Sequence, residues 1–446
     1  MITKLNIDAG ASELAIRDWN RYPLANPYVE MSLGAIKDGS IKINVEPQIE
    51  TLADGTAYQN GVLVSGECEL LESDLTTTAS LEGYMARNVD LVIYNQGSRK
   101  VYTLVDSSVV IGHSKVFTRK NANTIKVTFK AEAKTMSEMF AQNAYMPDTS
   151  GNYNEMVWIP KFLFDPATGL IGSGSVHPAF IVNGVEKDGF YFGKYQASQP
   201  ASVARSLAGQ IPKVSLDFDA ARALAVALNG GTVSGWHLAS NAEYAAISLL
   251  SKAMGKTVSG NNAYGKDTAS MVAGKILTGD TYGSGTSRWL TGSGGRMTAH
   301  DNTPGGICDI NGNVWEWTDG LKITDGIVSA SGNLNTGATA FGNSFGATEV
   351  NWYNGGSSIN ITTGLTSGQP IQAMRTDALG SLCLPSALGT PNFGGDAFWF
   401  TASGERLPFR GGSWGNGSDA GLFALVLDSS RTSVGTPIGF RLALIL

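Results

Sequence analysis

This chain of 446 residues carries few groups with reactive chemistry. Its three cysteines, Cys68, Cys308 and Cys383, have no CxxC spacing, so neither a disulfide framework nor a zinc knuckle is indicated. Buried structural thiols are the simpler reading. The four histidines, His113, His177, His237 and His300, each stand more than fifty residues from the next, and that spacing offers no local imidazole cluster for a metal. There is no G-x-S-x-G elbow and no phosphate loop. No apolar run reaches about 18 residues, and no early segment joins a basic start to an apolar run and a small-residue cleavage site. We therefore expect neither membrane insertion nor export by that route. Charged residues make up only 16% and the net charge is -6, which leaves no basic stripe for nucleic acid. A glycosidase needs only two carboxylates at a suitable separation, so that enzyme class stays open at this stage.

What the chain has in quantity is glycine, 55 residues, set among short apolar runs. Its length predicts two or three domains. Residues 1–145 read as β-rich: Ile41-Lys-Ile-Asn-Val45, Asp90-Leu-Val-Ile-Tyr94, Val101-Tyr-Thr-Leu-Val105 and Thr124-Ile-Lys-Val-Thr-Phe129 are rich in β-branched and aromatic residues and are separated by turn formers. A helix around Ser73 to Arg87 is expected to interrupt them. With no chemistry to name beyond the solitary His113, this region reads as an attachment or oligomerisation module. Pro147-Asp-Thr-Ser-Gly-Asn152 marks a boundary, and a second domain is expected over 150–446.

In that second domain Val157–Phe162 and Gly189–Tyr195 read as strands. Ser215 to Leu228 has Phe218, Ala221, Leu224, Ala225 and Leu228 at helical spacing and ends at Asn229-Gly230-Gly231. Ser240 to Ala253 is a second helix, opened by a Ser240/Glu243 capping box. Gly255 to about Gly306, and an insertion at about 320–404, are heavy in Gly, Ser, Thr and Asn but carry aromatic anchors such as Trp289, Phe341, Phe345, Trp352, Tyr353 and Trp399. They read as surface loops and short strands on a rigid scaffold.

Two motifs dominate the remainder. In Asn311-Gly-Asn-Val-Trp-Glu-Trp317 the Gly and Asn permit a tight turn, and two Trp at alternate positions of a strand can plug one side of a core. Glu316, pointing the other way, either accepts hydrogen bonds or binds a structural calcium ion together with Asn313. In Phe409-Arg-Gly-Gly-Ser-Trp414 glycine allows close backbone approach, and Arg410 and Arg441 are expected to tie the terminal strands as buried, paired guanidinium groups.

These motifs, with Ile438-Gly-Phe-Arg-Leu442, resemble the formylglycine-generating-enzyme type of C-type lectin domain. Still more closely they resemble the variable proteins of diversity-generating retroelements, many of which sit on phage tails. Leu382-Cys-Leu-Pro-Ser386 and Gly394-Gly-Asp-Ala-Phe-Trp399 in the insertion resemble the phage form. The resemblance implies an α+β chain: a C-type lectin fold preceded by a β-rich amino-terminal domain. The copper-binding cysteine pair of the enzymes follows their Arg-Gly-Gly-Ser segment, and residues 411–446 contain no Cys, so the expectation is a binder without enzyme activity and without a catalytic cofactor.

Retroelement diversification favours AAY codons, from which Lys, Glu, Gln, Met and Trp are unreachable, and residues 415–446 contain none of the five. The implied variable, ligand-binding residues are Gly415, Asn416, Ser418, Asp419, Val426, Asp428, Ser429, Ser430, Thr432, Ser433, Val434, Gly435 and Thr436. The implied role is a tail-fibre or tail-tip protein of a phage virion, a homotrimer that binds a host surface protein or glycan and joins other tail proteins through residues 1–145. A cellular, surface-displayed variable protein is the alternative, followed by a formylglycine-enzyme-like or glycan-degrading enzyme.

Overall fold

The computed structural model describes residues 4–5, 12–18, 29–37, 40–51, 57–71, 88–95, 98–112, 124–133, 140–182, 184–230, 232–276, 281–282, 285–286, 288–331, 352–354 and 359–446. The segment 73–87, His113, Phe341 and Phe345 lie outside the described residues. Two compact units divide the chain: Met1–Tyr145 with Thr303–Gly305, and Met146–Asn302 with Gly306–Leu446.

The first unit is antiparallel β-structure. Lys42–Thr51 pairs with Ala57–Leu71, which pairs with Thr124–Ala133; Lys100–Gly112 follows, then Asn88–Asn95, Ser12–Asp18 and Val29–Ala35. Ile36 bridges Leu70, so the far edge of the sheet returns onto the 57–71 strand and the sheet curls on itself. The alternation is clean: Val62, Val64, Cys68 and Leu70 are buried, whereas Leu63, Ser65, Glu67 and Glu69 are half-exposed. Gly66 stands opposite Phe129, and a Cβ there would lie 2.4 Å from the Phe129 ring. The strand therefore omits a side chain where its partner supplies an aromatic one.

The second unit is also mostly β, with two α-helices among the described residues, so strand rather than an even α+β balance sets the class. Phe218–Val226 begins one turn later than the periodicity implied, because Asp217 supplies the cap by accepting from the Ala220 N–H at 2.8 Å. Phe218, Ala221 and Ala225 face the core as expected. Asn241–Ala253 starts with the anticipated capping box: the Glu243 N–H donates to Ser240 Oγ, and the Ser240 N–H donates to Glu243 Oε2.

The carboxy-terminal strand Leu442–Leu444 lies between Gly189–Gly193 and Trp236–Leu238, so the last residues close the sheet that opens the unit. A second sheet runs Trp352–Asn354, Ile327–Ser331, Leu321–Thr324, Glu405–Gly411, Gly421–Ser429, Ala397–Phe400, Gln369–Met374 and Pro385–Leu388. The 320–404 insertion thus differs from a surface appendage. It supplies strands on both sides of the motif-bearing pair and contributes Ile371, Leu382, Leu384 and Phe398 to the main core.

Candidate ligand-binding face

The floor of the site is a buried polar network. Gly312 has φ +74°, and a Cβ on it would stand 2.2 Å from the Asn261 carbonyl oxygen, so only glycine turns the chain here. Beyond the turn, Trp315 and Trp317 project to one side of the Trp315–Trp317 strand. The Trp317 ring lies 4.0 Å from Phe409 and 5.7 Å from Phe218, and the Trp315 ring lies 5.7 Å from Trp399. Glu316 projects to the other side and meets Arg441: Nη2 donates to Oε1 at 2.7 Å and Nε to Oε2 at 2.9 Å. Gln196 Nε2 donates to the same carboxylate at 3.0 Å, while Gln196 Oε1 accepts from Asn313 Nδ2 at 2.8 Å. Asn313 Oδ1 accepts from the Trp289 N–H and from Asn261 Nδ2.

Of the two readings of Asn313 and Glu316, hydrogen-bonded tie or calcium site, this donor set does not fit the calcium site. Calcium takes six to eight oxygens, but the Glu316 oxygens face a guanidinium and an amide NH2, and the Asn313 oxygen faces two N–H donors. The positive charge beside Glu316 is Arg441 itself. Asn313 and Glu316 are structural ties, and no metal is assigned to them.

Arg410 is held differently from Arg441. Also fully buried, it donates to Asn241 Oδ1 and the Leu382 carbonyl at 2.8 Å each and to the Phe423 carbonyl at 3.3 Å, all neutral acceptors. Burial lowers its pKa from the ordinary value. The expectation of two charge-paired arginines holds for Arg441 and fails for Arg410. Next to it, Gly412 has φ +92°, and a Cβ would lie 2.3 Å from Ala420 Cβ; that close approach shapes the loop that follows.

Within the loop, Asn416 Oδ1 accepts from the Ser413 N–H and Oγ at 2.9 and 2.7 Å, and the Gly417 N–H donates to the Asn262 carbonyl. Gly415 and Ser418 are exposed, while Asn416 and Asp419 are half-exposed; burial raises the Asp419 pKa. At the other end, Asp428, Thr432, Val434 and Thr436 are exposed, and Ser429, Ser430, Ser433 and Gly435 are half-exposed. Val426 is the correction: only 6% exposed, it pairs with Phe409 and Trp399 inside the sheet and cannot present its side chain.

Nor do the remaining residues form one cluster. Gly421–Ser429 separates the two loops by roughly 26 Å at about 3.3 Å per residue. The segment after Ser430 then returns. Ile438 pairs beside Trp315, which stands at the Gly411 end, and the Ser215 N–H donates to the Gly435 carbonyl while Val214 packs on Trp414. Residues 434–436 thereby come back towards 415–419, leaving Asp428–Ser430 at the far end.

One surface residue went unnoticed in the sequence. Tyr264, 56% exposed and at φ +50°, is fixed by its N–H donating to the Trp414 carbonyl at 2.7 Å, and its hydroxyl stands against Gly415. An aromatic followed by Gly inside a polar loop was the available signal. The cysteines are buried and free, with burial pushing Cys68 and Cys308 up to about 12 and Cys383 up to about 11. His177, His237 and His300 are each buried in separate hydrogen-bonded settings.

No family model matches the chain, and no curated protein matches it. Among solved structures it is similar to the Major Tropism Determinant M1 variant, at 11% identity and a TM-score of 0.29, covering 99% of this chain and 74% of that one. The I1 variant aligns at 12% identity, a TM-score of 0.27 and the same coverage. The baseplate of the anti-feeding prophage aligns over 31% of this chain and 97% of its own, at 11% identity and a TM-score of 0.19.

Proposed function

We propose that this chain is a receptor-binding protein of a phage tail. In this reading its second unit is a C-type lectin domain of the formylglycine-enzyme type, and it offers exchangeable loops to a host surface protein or glycan. The observation that carries the reading is the division of the last segment into exposed and buried positions. The residues proposed as variable are, apart from Val426, exposed or half-exposed, whereas the framework residues Trp414, Ala420, Phe423–Leu425, Leu427 and Ile438–Ile445 between and around them are buried. Identity can then change at the surface without cost to the fold. The geometry favours 415–419 with 434–436 as the principal contact region, Tyr264 being its fixed aromatic neighbour. Binding without turnover is part of the proposal, supported by the want of a cysteine pair after Arg410 and by the high thiol pKa values. Small polar contacts give weak monomer affinity, so several copies on one particle, as a trimer attached through residues 1–145, would supply avidity.

The test is exchange. Replacing Gly415, Ser418, Asp419, Val434 and Thr436 with the residues of another natural variant should redirect attachment to a different host strain and leave the melting temperature nearly unchanged. Attachment that survives the exchange unaltered would overturn the reading.

A further inference from the structure

We infer that the cleft beside Ser418 is a subsite for an acidic sugar, a pyranose bearing a carboxylate, bound by side chains outside the exchangeable segment. The inference rests on the surface-binding role proposed above and names a ligand class for it.

The cleft has a volume of about 400 Å³, in the range of small-molecule sites, and lies between the 256–270 loop, the turn at 392–396 and residues 418–423. Four charged side chains line it: Lys252, Lys256, Asp267 and Asp396. Both carboxylates are already engaged. Asp267 accepts from the Gly260, Ala269 and Ser270 N–H groups at 2.7–2.8 Å. Asp396 accepts from the Phe423 N–H at 2.6 Å, and burial pushes its pKa up to about 8, so it is largely uncharged at neutral pH.

The two ammonium groups are not neutralised in this way. Among the described residues neither has a carboxylate partner; Lys252 stands 4.1 Å over the Phe393 ring and 5.9 Å from Phe423, and Lys256 is exposed. In a protein of net charge -6, this concavity has an excess of positive charge and suits an anion.

A bare anion leaves one feature unexplained. Asn311, part of the cleft wall and 8% exposed, donates through Nδ2 to the Val258 carbonyl at 2.8 Å, which fixes the amide orientation, yet its Oδ1 has no hydrogen-bond partner among the described residues. A buried acceptor of this kind calls for a donor. A sugar acid brings both: hydroxyls that donate and accept, matching Asn311 and the hydroxyl and amide groups of the rim, and a carboxylate for the lysines. Because Ser418 alone joins the cleft to the exchangeable residues, the subsite would keep its preference while neighbouring positions vary.

Full-length protein should be titrated at low salt with glucuronate, using glucose, glutarate and inorganic phosphate as controls, and binding followed by calorimetry and saturation-transfer NMR. Glucuronate should bind, glucose and glutarate should bind at least about tenfold more weakly, and Lys252→Gln with Lys256→Gln should lower glucuronate affinity about tenfold. Both lysines are exposed, so the double variant should keep its melting temperature. Absence of glucuronate binding, equal binding of glucose, or equal lysine-dependent binding of glutarate or phosphate would each overturn the subsite. Exchange of Gly415, Val434 and Thr436 should leave glucuronate affinity unchanged. Host attachment that follows those residues without glucuronate binding would remove the subsite alone, whereas glucuronate binding without host attachment would remove the receptor role alone.

Discussion

Arg441 and Val434 lie seven residues apart in the chain and in opposite circumstances. Arg441 is fully buried and donates to a carboxylate and to the Gly193 and Cys308 carbonyls, joining strands that are distant in sequence. Val434 is 62% exposed on a loop that is tied by its backbone and by the Arg431 guanidinium, which donates to Asp219 at 2.8 Å and to Glu405 at 3.4 Å. The difference shows how one short segment can serve both stability and recognition. Main-chain hydrogen bonds from Ser215 to Gly435 and from Trp315 to Pro437 hold this end of the loop whatever side chains its exposed positions 434 and 436 carry. Side-chain identity is left free for contact.

The largest effect should come from breaking the buried side of this comparison. Arg441→Ala leaves the Glu316 carboxylate buried without its counter-charge, which typically costs about 3–5 kcal/mol. Chemical denaturation of this variant should show a loss of that order, or a failure to fold. Arg441→Ala together with Glu316→Ala should recover part of the loss, because the stranded charge is then gone. A double variant as damaged as the sum of both single variants would show that the pair acts independently.

A sharper comparison sets two valines against each other. Val426→Asn buries an amide in the sheet between the Phe409 and Trp399 positions, at a cost of about 1–3 kcal/mol. Val434→Asn changes an exposed side chain and should stay within about 0.5 kcal/mol. Both replacements are reachable by the same codon chemistry, so thermal melts of the two variants separate surface from scaffold directly. Equal damage would mean that residue 434 is packed in the assembled protein.

These valines also show what the sequence could express. Capping at Ser240, the helical spacing of Phe218, Ala221 and Ala225, and the alternating Trp315-Glu316-Trp317 are local patterns, and local patterns translate directly into structure. Val426 was misplaced because codon reachability says nothing about which face of a strand a residue occupies. The alternation of that strand is masked, since Ala424, Leu425, Val426 and Leu427 are all buried between neighbours on both faces. The partnership of Arg410 with neutral carbonyls was invisible for another reason. Its acceptors, Asn241, Leu382 and Phe423, come from three separate stretches of chain, and backbone carbonyls carry no residue signature. Tyr264 depended likewise on a long-range contact with Trp414.

A smaller effect concerns pH. Asp396 has its pKa raised by burial to about 8 in the fold, against 3.8 for the ordinary carboxyl. Between these values the folded protein holds a proton that the unfolded chain releases, so this group favours folding most at low pH, and its contribution is lost as pH rises through about 8. Asp309, raised by burial to about 6, acts with the same sign but in a lower window. Melting temperatures measured between pH 7 and 9 should therefore fall in the native protein and fall less in Asp396→Asn. A variant whose slope equals that of the native protein would show that Asp396 is ionised in the fold.

The smallest effect expected is none at all, and it bears on the same buried network. A calcium ion shared by Asn313 and Glu316 would stabilise the fold by mass action, so a chelator would lower the melting temperature. Arg441 already supplies the positive charge, and Gln196, Asn261 and the Trp289 N–H supply donors where a metal would need acceptors. The melting curve in excess chelator should overlay the curve in calcium. Glu316→Gln distinguishes the two arrangements further. It weakens the bond to Arg441 and should destabilise the protein equally with and without calcium, whereas a metal ligand lost by the same change would destabilise only the calcium-loaded form. A chelator-sensitive native protein with a chelator-insensitive Glu316→Gln variant would restore the metal and require the Arg441 side chain to turn away from Glu316.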